Sequence, residues 1–161
     1  MFFKEESCMS RPGQYVPDPT EGIINPHDLP QPKIKTRSRA RKQSRCPQCR
    51  RLCTRHALRT RRIHDLGDPV SGRPVEIVLH YSKHYCCKCQ KHFTIDSSHL
   101  APPKSDYTNA VIELAIRLIV EDGLPYREAS WHLWRDHRVY VPFGTIKNWV
   151  GAAGEKNLLA N

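Results

Sequence analysis

Two short motifs constrain this chain more than anything else in it. Cys46-Pro47-Gln48-Cys49 and Cys86-Cys87-Lys88-Cys89 are both cysteine pairs with two residues between them. That spacing lets the backbone fold into a knuckle and bring both sulfurs to one metal ion. Two knuckles supply the four thiolates of a closed tetrahedral zinc site. The insertion between the pairs is longer than the usual ribbon spacing, and a hairpin across it carries one knuckle back to the other. The basic neighbours Arg45, Arg50, Arg51, Lys88 and Lys91 favour the thiolate form. A closed four-sulfur site has no open coordination position, so the ion is expected to be structural and the ribbon to be unfolded without it.

The same cysteines allow other readings. A Cys-x-x-Cys can be a thioredoxin-like redox pair, but no strand-helix-strand pattern surrounds either pair. Cys53 and His56 have the spacing to complete a one-sided site with Cys46 and Cys49, which leaves the second pair without a role. Buried inert thiols seldom come as two correctly spaced pairs. Cys87 is expected to be a bystander pointing away from the metal.

At 161 residues the chain has room for one ordinary domain or two small ones. Small domains bury little apolar surface, and a metal staple suits them. The formal charge of +10 makes a polyanion the natural partner. Thirteen Lys and Arg, and no Asp or Glu, lie between Lys33 and Arg62, so the rest of the chain is slightly acidic. Within this block Arg37, Arg39, Arg41, Lys42, Arg59, Arg61 and Arg62 are the expected phosphate contacts. For "KIKTRSRARKQSR" (33–45) two readings stay open, a solvated self-repelling linker or an arm that tracks phosphates. The most apolar stretch, "AVIELAIRLIV" (110–120), carries Glu113 and Arg117, so no membrane span is expected. "MFFKEESCMS" has acids where a signal peptide needs basic and then apolar residues, so a cytoplasmic, nucleoid-associated location is expected. Seven cysteines in such a chain argue for metal or redox chemistry over a disulfide framework.

Along the chain, residues 1–45 read as a disordered Pro-rich and basic tail. Residues 46–96 read as the zinc ribbon. In it "PVEIVLHYS" (74–82) alternates, with Val75, Ile77, Leu79 and Tyr81 on one face, and "LRTRRIHDL" (58–66) is its partner across the turn-rich "GDPVSGR" (67–73). "SSHLAPPKS" (97–105) reads as a linker. Residues 106–161 show helical periods. Ser105 or Asp106 caps a first helix that buries Val111, Leu114, Ala115 and Leu118 and stops at Gly123. Pro125 opens a second helix burying Ala129, Leu133 and part of Trp134. A third, "PFGTIKNWVGAAGEK", turns Ile146, Trp149 and Val150 to one face. The expected fold is therefore a small α+β chain, a β-hairpin zinc ribbon followed by a trihelical helix-turn-helix domain.

In a helix-turn-helix the last helix enters the major groove of DNA. Thr145, Lys147 and Asn148 lie off the apolar face and are the expected readers, with Arg127, Arg135 and Arg138 near the backbone. The same helices could also be a small bundle whose polar face meets water or a protein.

The run "CPQC … RHALRTRRIHDLGDPVSGRPVEIVLHYSKHYCCKCQKHF" resembles the zinc ribbon that opens a family of bacterial insertion-sequence transposases. "GLPYREASWHLWRDHRVYVPFGTIKNWV" is similar to the helix-turn-helix that follows it there. The resemblance covers about residues 46–154. Its specific features are the paired Cys-x-x-Cys, the "RHDL"-like stretch, and Phe93 four residues after Cys89. It implies that Cys46, Cys49, Cys86 and Cys89 hold Zn2+ and that the chain binds double-stranded DNA at the inverted repeats of element termini. It also implies a nuclease of the ribonuclease H type, separate or C-terminal, whose three carboxylates hold two metal ions. The chain stops at Asn161, before such a domain, so it is expected not to cut DNA by itself and to have no catalytic residues. Two departures concern the knuckles: Gln90 stands where Gly usually follows, and Arg50 likewise follows Cys49, so those turns are expected to be strained. Another concerns the reader helix, where Pro142 and Phe143 stand in place of a Ser or Thr cap. A zinc-ribbon adaptor, a transcriptional regulator and a thiol redox protein are the alternatives. The sequence sets no oligomeric state.

Overall fold

The computed structural model describes residues 30–159, so the Pro-rich start of the expected tail (1–29) lies outside the described residues. Five strands precede three helices among them: β1 (Lys33–Arg39), β2 (Gln43–Arg45), β3 (Leu52–Asp65), β4 (Val75–Cys86), β5 (Lys91–Thr94), α1 (Asn109–Val120), α2 (Tyr126–His137) and α3 (Phe143–Leu159). The chain divides into a sheet unit, Pro32–Leu66 with Val75–Val111, and a helical unit that includes Gly67–Pro74 and the chain from Ile112.

β4 is the spine of the sheet unit. β3 pairs with it antiparallel along almost its whole length, from Asp65↔Val75 to Arg55↔His84, as the alternation of 74–82 predicts. A bulge at His56, between Arg55 and Ala57, adds one residue to β3. On the other edge of β4, β1 pairs in parallel over Val75–Tyr81 and β5 antiparallel over Lys83–Cys86. Strand side chains alternate between faces, and β4 uses both. Val75, Ile77 and Leu79 are buried on one face, where Ile63 and Ala101 join them and Tyr81 packs alongside. Ser82, His84 and Cys86 are buried on the opposite face, nearer the end of the strand.

Two expectations are corrected here. The basic run 33–45 is not a disordered arm: 33–39 and 43–45 are strands. It shows no apolar alternation because its strand character comes from the backbone ladder to β4, which needs no particular side chain. The crossing between β1 and β2 is fixed by the Arg41 N–H donating to Ser82 Oγ (3.0 Å) and the Arg55 N–H donating to the Lys42 carbonyl (2.9 Å). The stretch 97–105 is a strap on the sheet unit instead of a linker. Ala101 is buried in the Ile63–Leu79 cluster, and the Arg61 guanidinium donates to the Pro102 and Ser105 carbonyls (2.9 and 2.5 Å).

The three helices follow the apolar periods. Val111, Ala115 and Leu118 of α1 are buried, and Leu114 is half-buried. α1 starts at Asn109, with Thr108 Oγ1 3.5 Å from the Val111 N–H, so Thr108 takes the capping place expected for Ser105 or Asp106. Gly123 follows the helix with φ +68, the left-handed ending its sequence predicts. α2 begins after Pro125 and buries Ala129, Ser130, Leu133 and Trp134. Arg138, left-handed at φ 51, ends it, and Ser130 Oγ donates to the Val141 carbonyl (2.5 Å) to tie the link before α3 back to α2. In α3 Ile146 is buried while Trp149 and Val150 are half-buried. Gly67 has a steric role: a Cβ there would lie 2.6 Å from both the Arg138 Cβ and the His137 carbonyl oxygen, which accepts the Gly67 N–H (2.6 Å).

Candidate metal centre

Each cysteine pair occupies the turn of its own hairpin. Arg45↔Leu52 is the last pair of β2–β3, and Cys46 and Cys49 lie in the turn beyond it. Cys86↔Lys91 closes β4–β5, with Cys89 in the turn between them. The long β3–β4 pairing sets the start of β3 beside the end of β4, so the two turns meet. That accounts for the long insertion between the pairs: it is the two arms of the β3–β4 hairpin.

The sulfurs of Cys46, Cys49, Cys86 and Cys89 all lie within 4.8 Å of one another. Cross-pair separations are 3.9 Å for Cys46–Cys89 and 3.5 Å for Cys49–Cys86. A tetrahedral ion with metal–sulfur bonds of about 2.3 Å holds its sulfurs about 3.8 Å apart. The cluster therefore has the size of one four-sulfur site. All four thiols are free, and a disulfide needs a far shorter contact of about 2.05 Å. Cys46 and Cys86 are buried and Cys49 and Cys89 half-buried, with Phe93 packed against the group.

The knuckle backbone also prepares the sulfurs for a cation. In the first turn the Cys46 N–H donates to the Arg51 carbonyl (2.9 Å) and the Arg50 N–H to the Cys46 carbonyl (3.0 Å). Donation from the backbone of Cys89, and less from Lys88, draws the Cys86 thiol down to about 6. Backbone donation from Cys49 and then Gln48 lowers Cys46 in the same way. Cys89 is pushed up to about 12, first by its hydrogen bond with the Cys49 sulfur and then by burial. Protons shared among crowded sulfurs are what a divalent cation displaces.

The residues that follow the knuckles carry the expected strain. Arg50 has φ 63 and Gln90 φ 53, both in the left-handed region that favours glycine. Cys87 is exposed, as a bystander would be. Cys53 is buried beside the cluster but outside the group of four, its thiol donating to the Arg51 carbonyl (3.3 Å) and raised by burial. His56 is exposed and its ring meets His92, so the one-sided arrangement with Cys53 is not formed.

Sequence reasoning missed the layer behind the cysteines. His84 is fully buried, its ring stacked on Phe93 with centroids 5.3 Å apart. Its Nε2 lies 2.8 Å from Ser82 Oγ, the same oxygen that accepts the Arg41 N–H. Ser82 and His84 thus lock the crossing that delivers the Cys46 turn. The signal was present: Ser82, His84 and Cys86 alternate as regularly as Val75, Ile77 and Leu79, but two of the three are polar.

The expected nucleic-acid contacts are dispersed. Arg37, Arg41, Lys42 and Arg59 are exposed on the sheet unit, and Arg62 pairs with Glu76 (3.4 Å). Arg39 and Arg61 are already engaged, Arg39 donating to the Asp96 carbonyl (3.0 Å) and Arg61 to the strap. In the helical unit Lys147 and Asn148 are exposed, Thr145 is half-buried, and Arg135 is exposed. The Arg127 guanidinium lies over the Phe143 ring (5.0 Å) and that of Arg138 over Trp134 (5.8 Å). Among the described residues no helix is long and apolar enough to cross a membrane.

Comparison with known proteins gives no match to this chain, whether by family model, by curated sequence or by solved structure.

Proposed function

We propose that the chain is a zinc-dependent DNA-binding protein, similar to the DNA-recognition region of insertion-sequence transposases. The convergence of four cysteine sulfurs at tetrahedral spacing carries this reading, since a closed thiolate set of that size suits one structural Zn2+. Cys46, Cys49, Cys86 and Cys89 are the ligands, and the ion's task is to pin the two hairpin turns together.

Duplex DNA is the partner, at element-end repeats. The basic run of β1 and β3 supplies salt-dependent affinity. α2 and α3 act as a helix-turn-helix, a reading supported by the short tied link between them and by the exposure of Lys147 and Asn148 beside buried Ile146. Thr145, Lys147 and Asn148 read bases, while Arg127, Arg135 and Arg138 position the backbone. Cutting and joining belong to a nuclease, either separate or part of a longer chain.

Selection of bound duplexes from a random pool, followed by a salt series, tests this. Affinity should fall steeply with salt, and Asn148→Ala should cost about 1–3 kcal/mol on the selected site and little on random duplex. Equal loss on both sinks the reader-helix assignment. No affinity for naked duplex at moderate salt leaves the adaptor reading in its place.

A further inference from the structure

The basic face of the sheet unit also carries exposed rings, which add the chemistry of a further ligand. Leu79 pairs with Arg37 and Arg61, and Tyr81 with Arg39 and Arg59, so these side chains share one face of the sheet. Tyr85 lies on the same face of β4, and His92 is its partner on β5. The His92 ring stands 4.9 Å from that of Tyr85 and 4.9 Å from that of His56, which the bulge on β3 brings to the same side. All three rings are exposed, and packing of the core does not account for them. Lys35, Arg37 and Arg59 are exposed on this face too. Alternate residues of a strand stand about 6.7 Å apart, comparable to successive phosphates along one nucleic-acid strand. Against the strap opens a groove of about 340 Å3 with Leu79, Tyr81, Thr94 and Lys104 in its lining. Asp96 also lines it, and its carboxylate accepts the Ser98 N–H (2.9 Å).

We infer that this face binds single-stranded nucleic acid, stacking unpaired bases on Tyr85, His92 and His56 and holding phosphates on the cations of β1 and β3. Exposed rings interleaved with cations fit unpaired bases, because every base offers a π-face and a duplex keeps its own bases stacked on each other. The surface uses none of the α3 residues, so it stands or falls apart from duplex reading by Asn148.

The test uses the full zinc-loaded chain with three probes: a mixed-sequence single strand as DNA and as RNA, a random duplex, and heparin. Tyr85→Ala and His92→Ala should each weaken the single strand roughly tenfold. Duplex and heparin binding should be unchanged, and Tyr85→Phe should restore the loss. Zinc content and circular dichroism, equal to the parent in each variant, show that the fold is kept. Arg37→Gln should weaken all three probes alike and lower the salt slope. Two results overturn the inference. One is unchanged single-strand binding in both ring variants. The other is an equal loss on heparin and duplex, which makes the face a general polyanion surface. Asn148→Ala should leave single-strand binding untouched.

Discussion

The two ends of β4 are held by different physics. At the Val75–Leu79 end, Ile63, Ile77, Leu79 and Ala101 form a small apolar cluster on one face, completed by the strap. At the Ser82–Cys86 end the opposite face is buried, and its contents are a hydroxyl, an imidazole and sulfurs. The first end gains stability from apolar area removed from water. The second has little such area and brings together four thiols and a hydrogen-bonded dyad. One strand therefore serves two cores, and under the proposed function only the first of them stands without an ion.

The largest expected effect lies at the sulfur end. Cys86→Ser, or a strong chelator, should release the metal and unfold both turns, read by metal analysis and by loss of β signal. Cys87→Ser should change neither. Acid should act in the same place. The Cys86 thiol is lowered from 9.0 to about 6. Its ionised form therefore stabilises the fold fully above pH 9, and that contribution is lost as pH falls to about 6. Protons compete with the cation for the four sulfurs, so the metal should be released as pH falls, seen in an indicator titration.

Next comes the apolar end. Leu79→Ala should cost about 2–5 kcal/mol in urea unfolding because Leu79 is fully buried. The zinc content should stay at the parent value, which separates the two ends. Ser82→Ala should cost less, about 1–3 kcal/mol, by stranding the Arg41 N–H and the His84 Nε2. The smallest effect is a gain. Gln90→Gly should stabilise the protein by up to about 1 kcal/mol by relieving a left-handed backbone at φ 53.

Much of this was legible in the residues. Alternation in 74–82 predicts β4, its partner and their shared face, and paired Cys-x-x-Cys spacing predicts the four converging sulfurs. The helical periods predict α1, α2 and α3, and the missing glycines after Cys49 and Cys89 predict strain at Arg50 and Gln90. β1 was not legible. Seven mostly exposed side chains bear no pattern, and its parallel ladder to β4 joins segments distant in sequence. The strap was hidden for a related reason: a Pro- and Ser-rich run reads as a break, and a single buried Ala101 gives no period. Arg39 and Arg61 look like free phosphate contacts in sequence, but Arg61 bonds carbonyls of that unseen strap and Arg39 the Asp96 carbonyl just before it.

The most direct measurement is the metal content of protein purified under reducing conditions without added metal. A four-sulfur structural centre predicts one zinc per chain, lost in Cys86→Ser and kept in Cys87→Ser. A metal-free protein with all seven thiols titratable, or one with a reversible Cys46–Cys49 disulfide, would contradict it.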